Sequence, residues 1–126
     1  MSAVRVLIVD DSSVMRKIVE RSLRQAGLEI SEVLEAGNGV EALSRMQQTR
    51  VDLILSDINM PTMDGLELVR QLQAVENARG VPIVMITTEA GEAHVVQAIS
   101  SGARGYIRKP FSSDQVKERI IPLLQG

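Results

Sequence analysis

Three carboxylates, a hydroxyl and an amine recur at matching places along this chain. Asp10 and Asp11 follow the apolar run Val4 to Val9, and Asp57 closes a run that begins at Val51. Thr87 ends the run Val81 to Ile86, and Lys109 follows Gly105 to Ile107. Taken singly, each has an ordinary reading. An acid between a strand and a helix caps the helix or meets its dipole, a threonine satisfies a turn, and a lone lysine is solvated. Independent caps, however, give no reason to place three acids and one amine at equivalent points. Three carboxylates brought together repel one another, so the set makes sense only where a cation is expected. All the candidate ligands are oxygens, which suits Mg²⁺, an ion that keeps several waters and binds one or two carboxylates with a phosphate. Lys109 and the Thr87 hydroxyl would then meet the other phosphate oxygens, and Asp57 would be placed to attack phosphorus and become an aspartyl phosphate.

The elements that must position these groups follow from periodicity. Five apolar runs read as strands: Val4 to Val9, Val33 to Leu34 with its flanks, Val51 to Leu55, Val81 to Ile86 and Gly105 to Ile107. Three of them are continuous and β-branched, as in strands buried on both faces of a parallel sheet. Helical stripes lie between them. The first is Met15, Ile18, Val19, Leu23 and Ala26, stopped by Gly27. Asn38-Gly39 opens a second stripe at Val40, Leu43 and Met46, and Asp64-Gly65 opens a third at Leu66, Val69 and Leu72. A weaker fourth includes Val96 and Ile99. The fifth, at Val116, Ile120 and Leu124, has Ser112 or Ser113 as its N-cap and Pro122 as a disturbance to its last turn. Strands alternating with helices make an α/β fold, a (βα)5 open five-stranded parallel sheet with right-handed crossovers and helices on both faces. In such a sheet ligands bind at the carboxyl ends of the strands, which is where all five chemical residues fall.

Composition narrows the function classes. With 126 residues the chain has the size of one domain, and residues 1–126 read as a single unit with no output domain. The net charge of -2 carries no footprint for nucleic acid, and two aromatic residues, Tyr106 and Phe111, provide no stacking platform. No cysteine is present, so disulfides and thiolate metal sites are excluded. No apolar run approaches the ~20 residues of a membrane span, and the N-terminus has no signal-peptide pattern, so a cytoplasmic monomer is expected. The six methionines read as core filler, and His94 as a solvated side chain.

Four motifs, spread from end to end, carry a family resemblance: "LIVDDS" at 7–12, "LSDINMPTMDGLEL" at 55–68, "MITTEA" at 85–90 and "GYIRKPF" at 105–111. The chain resembles a two-component response-regulator receiver domain, of the stand-alone chemotaxis type. The resemblance implies the flavodoxin-like strand order 2-1-3-4-5, a family trait for which chemotaxis receivers are a standard example. It implies that Asp57 accepts a phosphoryl group from a phosphohistidine on a sensor histidine kinase. It further implies a Mg²⁺ site of Asp10, Asp11, Asp57 and the main-chain carbonyl of Asn59, with Asp10 acting through water. Lys109 matches the phosphate-pairing lysine, Thr87 the switch hydroxyl and Tyr106 the aromatic that changes rotamer. Asn59 and Glu89 stand where the family tunes hydrolysis, and the Lys109-Pro110 bond is expected to be cis. Two departures stand out: Ile58 replaces a tryptophan familiar beside the acceptor, and Thr88 is bulkier than the usual alanine. The implied partners are a chemotaxis-type kinase, a flagellar motor switch protein and a phosphatase, with nucleic acid and membranes excluded. Two other functions remain open on the residues: a receiver in another phosphorelay with a non-flagellar partner, and a Mg²⁺-dependent phosphatase using Asp57 as nucleophile. Phosphatases of the haloacid dehalogenase type need a second acid two residues on, and Asn59 occupies that position.

Overall fold

The computed structural model describes residues 3–58, 60, 62–87, 92–109 and 112–124, without the side chains of Glu92 and Ala93. Asn59, Thr88, Glu89, Pro110 and Phe111 lie outside the described residues. The metal carbonyl, the hydrolysis pair, the bulk beside the switch hydroxyl and the cis bond expected above therefore all involve positions outside them.

The strands are β1 (Val4–Val9), β2 (Ile30–Ala36), β3 (Leu53–Asp57), β4 (Ile83–Thr87) and β5 (Gly105–Arg108). They form one parallel sheet in the order β2-β1-β3-β4-β5. Alternate residues of each central strand feed opposite faces, as the pleat requires. Leu7, Val9, Ile54 and Met85 join a core under three helices: α2 (Gly39–Gln48), α3 (Gly65–Leu72) and α4 (Glu92–Ser101). Val6, Ile8, Leu53, Leu55, Val84 and Ile86 join the core on the other face. That core is covered by α1 (Ser13–Gln25) and by α5, which occupies 113–124.

Local chemistry sets the helix ends. Ser12, Asn38, Asp64 and Ser112 each accept a bond from the main-chain N–H three residues on, so α1, α2, α3 and α5 are each capped by a short polar side chain. After α1, Gly27 has φ +95, and paired bonds run from Leu28 N–H to the Leu23 carbonyl and from Gly27 N–H to that of Arg24. These bonds complete a glycine C-terminal cap, as the sequence predicts. In its middle, α5 widens into a π turn at Val116–Ile120, where the Ile121 N–H reaches back to the Val116 carbonyl. Pro122 cannot donate, and the expected disturbance lies in the turn before it rather than at the helix end.

The helical stripes need correction. Ile18 and Val40 are exposed, and α2 instead buries Ala42 with Met46. On α4, Val96 is 67% exposed and Ile99 47%, whereas Val95 and Ala98 are buried. Adjacent valines at 95 and 96 leave the periodicity ambiguous, and the sheet takes the face that carries the smaller Ala98. The strand starts also shift: β3 begins at Leu53 and β4 at Ile83, and Asp57 and Thr87 are the last residues inside their strands.

Candidate functional site

At the carboxyl rim the sheet order brings β1, β3, β4 and β5 side by side, so that Asp57 and Thr87, which end their strands, lie beside Asp10 and Lys109, which follow theirs. Asp10, Asp57 and Thr87 are all buried, while Asp11 is exposed at the mouth. One carboxylate oxygen from each of Asp10, Asp11 and Asp57 lies within 4.8 Å of the others. The Lys109 ammonium reaches over them, with Nζ 3.4 Å from Asp57 Oδ2 and 3.7 Å from Asp10 Oδ2. The acid that ends β3 thus has its counter-charge 52 residues away in sequence.

Main-chain bonds hold these groups in place. The Asp10 N–H donates to the Ala36 carbonyl, extending the β1-β2 ladder by one residue. Asp10 Oδ1 accepts from the Ser12 N–H at 2.9 Å, which turns the chain into α1. The Lys109 N–H donates to the Thr87 carbonyl at 2.7 Å, so the lysine and the hydroxyl leave adjacent strands together. The Gln115 amide ties α5 to the last residue of β5. Its Oε1 accepts from the Arg108 N–H at 2.7 Å, and its Nε2 donates to the Arg108 carbonyl at 3.0 Å. No sequence motif marks Gln115, because the amide serves the backbone of a residue in a different element.

Burial dominates the electrostatics. It pushes the Asp10 carboxyl above its ordinary value, opposed by the Ser12 N–H, with Asp57 raising it, Lys109 lowering it and Asp11 raising it in descending order. Asp10 Oδ2 is buried with no hydrogen-bond partner. A folded-state pKa above the unfolded one means that the fold favours the protonated acid. Stability is thus retained below the unfolded value and lost as pH rises through the folded one. In metal-free protein, Asp10→Asn should therefore raise the melting temperature at pH 7. The gain should shrink on acidification, as the wild-type carboxyl itself takes up a proton; a gain independent of pH in thermal melts would contradict this origin.

Tyr106 sits half-buried on β5, paired in register with Met85 of β4. The guanidinium of Arg119 on α5 lies over its ring, 4.7 Å from the centroid. The sequence singles out the tyrosine but offers no sign of the arginine that covers it.

The chain matches known proteins over nearly its whole length. The response regulator receiver domain model matches residues 6–121. The chain is 42% identical to the chemotaxis protein CheY1 of Helicobacter pylori, covering 95% of this chain and 96% of that one. It is 41% identical to a chemotaxis protein CheY homolog of Campylobacter jejuni, covering 95% and 92%. Among solved structures, the chemotaxis response regulator CheY4 of Vibrio cholerae superposes with a TM-score of 0.83 at 36% identity, covering 98% of this chain and all of that one. The receiver domain of a Pseudomonas aeruginosa sensor histidine kinase, solved with a magnesium ion coordinated in its active site cleft, gives 0.84 at 27% identity, covering 99% and 100%. Among the described residues, no helix is long and apolar enough to cross a membrane. A parallel five-stranded sheet with three acids and a lysine at its carboxyl rim, matched over nearly its whole length, establishes that this chain belongs to the response regulator receiver domain family as a CheY-like member of two-component signalling.

Proposed function

We propose that Asp57 accepts a phosphoryl group from a phosphohistidine on a sensor kinase and that the chain, acting as a single receiver, signals through altered protein binding. The observation that carries this reading is Lys109 Nζ bridging Asp57 Oδ2 and Asp10 Oδ2 above a cluster of three acids. A carboxylate oxygen of Asp57 attacks phosphorus, an O–P bond forms, and the N–P bond to the histidine breaks, with the electron pair leaving on the imidazole. The Lys109 ammonium lies where negative charge on the transferring phosphoryl oxygens would be stabilised.

The site suits a hard divalent cation. Its donors are all oxygens, and the buried Asp10 Oδ2 has no hydrogen-bond donor of its own, with only the Lys109 ammonium 3.7 Å away. Asp10, Asp11 and Asp57 would hold Mg²⁺, with the Asn59 carbonyl as the fourth protein ligand proposed from the family. The bound ion supplies charge neutralisation for the phosphoryl oxygens. Asn59 and Glu89 are proposed to tune hydrolysis, as the family pattern suggests. Melting should rise with millimolar Mg²⁺ in the wild type, as for any ligand that binds only the folded state. Asp11→Asn should melt higher without metal and respond less to it; equal Mg²⁺ responses would place the ion elsewhere.

The chemotaxis names of the relatives in Helicobacter and Campylobacter support a role in chemotaxis, with a kinase of that pathway as donor and the flagellar motor switch as target. The likeness to a receiver from a sensor histidine kinase supports a second reading, a step in another phosphorelay. In either case Thr87 would transmit the signal. Its hydroxyl moves to a phosphate oxygen, freeing space into which Tyr106 turns, and the surface of α4, β5 and α5 changes. A partner that prefers this state must favour phosphorylation by the same factor. Partner affinity with and without beryllofluoride tests the proposal. The wild type should gain about tenfold, a typical coupling for such switches, and Thr87→Ala should gain little; an equal gain in both would show that the signal bypasses Thr87.

A further inference from the structure

Asp10 is held at more points than its place in the crevice requires. Its N–H bonds to Ala36 in β2, and its Oδ1 accepts from the Ser12 N–H. Its main-chain carbonyl lies beyond the β-ladder and accepts from Nη1 of Arg16, in the first turn of α1. The same guanidinium donates through Nε to Glu35 Oε1 at 2.8 Å, from the second-last residue of β2. The arginine side chain is 16% exposed and that of Glu35 32%, so the fork is half-buried at the edge of the fold. Lys17, mostly exposed, adds a longer contact to the other Glu35 oxygen at 3.4 Å. One planar group thus ties β1, α1 and β2 together at the residue whose Oδ2 is left for the crevice.

Two physical consequences follow. A buried carbonyl without a donor is costly, and rotation of the Asp10 peptide to find one would swing its carboxylate away from Asp11 and Asp57. An unpaired guanidinium this close to the acid cluster would also compete with a divalent cation, whereas the carboxylate of Glu35 offsets its charge. Arginine suits both tasks because its rigid fork can serve a carbonyl and a carboxylate at once, while a lysine presents a single ammonium.

We propose that Arg16, held by Glu35, is a positioning residue that fixes the Asp10 carboxylate and so sets the affinity of the acid site for Mg²⁺. This rests on the reading of Asp10, Asp11 and Asp57 as the metal site. Groups that orient ligands typically contribute about 10- to 100-fold in metal affinity. Arg16→Met should therefore weaken Mg²⁺ binding about tenfold or more. Arg16→Lys, able to serve only one of the two acceptors, should fall between that variant and the wild type. Glu35→Gln keeps an acceptor oxygen but leaves the guanidinium charge unneutralised, and should lose a smaller factor of roughly three, as expected for a partner charge near the protein surface.

The test is calorimetric titration of the full chain with Mg²⁺ alone, beside metal-free thermal melts and with Asp11→Asn as control. Support consists of weaker Mg²⁺ binding in Arg16→Lys and Glu35→Gln, at temperatures where both remain folded, in the order given. If Asp11→Asn loses affinity while both clamp variants bind as wild type, Arg16 is merely structural and the proposal is overturned, with the metal site intact. If Asp11→Asn binds as tightly as wild type, the metal-site reading fails and takes the proposal with it. Should Arg16→Met not fold, Arg16→Lys and Glu35→Gln decide the matter alone.

Discussion

Asp57→Asn should take up no phosphoryl group from acetyl phosphate and Mg²⁺ under conditions in which the wild type gains one. The amide preserves the shape at the end of β3 but lacks the anionic oxygen that attacks phosphorus. Asp57 is buried on the rim beside Lys109, so no other described carboxylate has both access to the crevice and this contact except Asp10, whose Oδ2 lies 3.7 Å from the ammonium. Asp10 is the poorer candidate because its Oδ1 is occupied by the Ser12 N–H and its Oδ2 lies farther from the ammonium than that of Asp57. The rate should fall at least about a thousandfold, the order of loss when a nucleophile is removed. Intact-mass measurement over time reads it directly, and an Asp57→Asn protein that gains the same mass at a comparable rate would refute the assignment.

Gly65→Ala should be the most damaging single methyl group that can be added near the site. A Cβ at this position would lie 2.2 Å from the Asp57 carbonyl oxygen and 2.9 Å from Ile58 Cα, both main-chain atoms that have little room to yield. The close approach exists because the Gly65 N–H donates to the Ile58 carbonyl at 2.7 Å, drawing the start of α3 against the end of β3. Asp64 caps the helix at the same point, so α3 cannot slide away without losing its cap. Overpacking a tight interior costs about 1–3 kcal/mol, more where backbone must move, and the upper end of that range is expected here. Denaturant unfolding should show the midpoint falling with the slope unchanged. Phosphorylation of the folded fraction should slow as well, because the displaced atoms belong to Asp57 itself. A variant as stable as the wild type would mean that α3 does not press on β3 as described.

Much of this was legible in the sequence, for identifiable reasons. Continuous β-branched runs alternating with helical stripes point to a parallel sheet covered on both faces, and Asp10, Asp57, Thr87 and Lys109 reveal the rim because each stands at the end of an apolar run. The strand order came from the family resemblance, since periodicity says which residues face a core but not which strands are neighbours. What escaped were contacts made across elements by residues with no pattern of their own: Gln115 on the Arg108 backbone, Arg119 over the Tyr106 ring, and Arg16 between Asp10 and Glu35. The buried face of α4 escaped for a different reason. Where Val95 and Val96 are equally apolar, only packing decides between them, and the sheet accepts Val95 with Ala98. Gly65 was legible as a helix opening in Asp64-Gly65, but its need to have no side chain is visible only in its distance from Asp57.

Whether the rim is a phosphoacceptor site centred on one residue is tested most directly by trapping the modified protein. Wild-type chain treated with acetyl phosphate and Mg²⁺, then reduced with borohydride, converts an aspartyl phosphate to homoserine, which peptide mass spectrometry locates. Homoserine at position 57, formed only when Mg²⁺ is present, is the predicted result. Homoserine at Asp10, Asp11 or any other acid, or equal yield at Asp57 with the metal chelated, would contradict it.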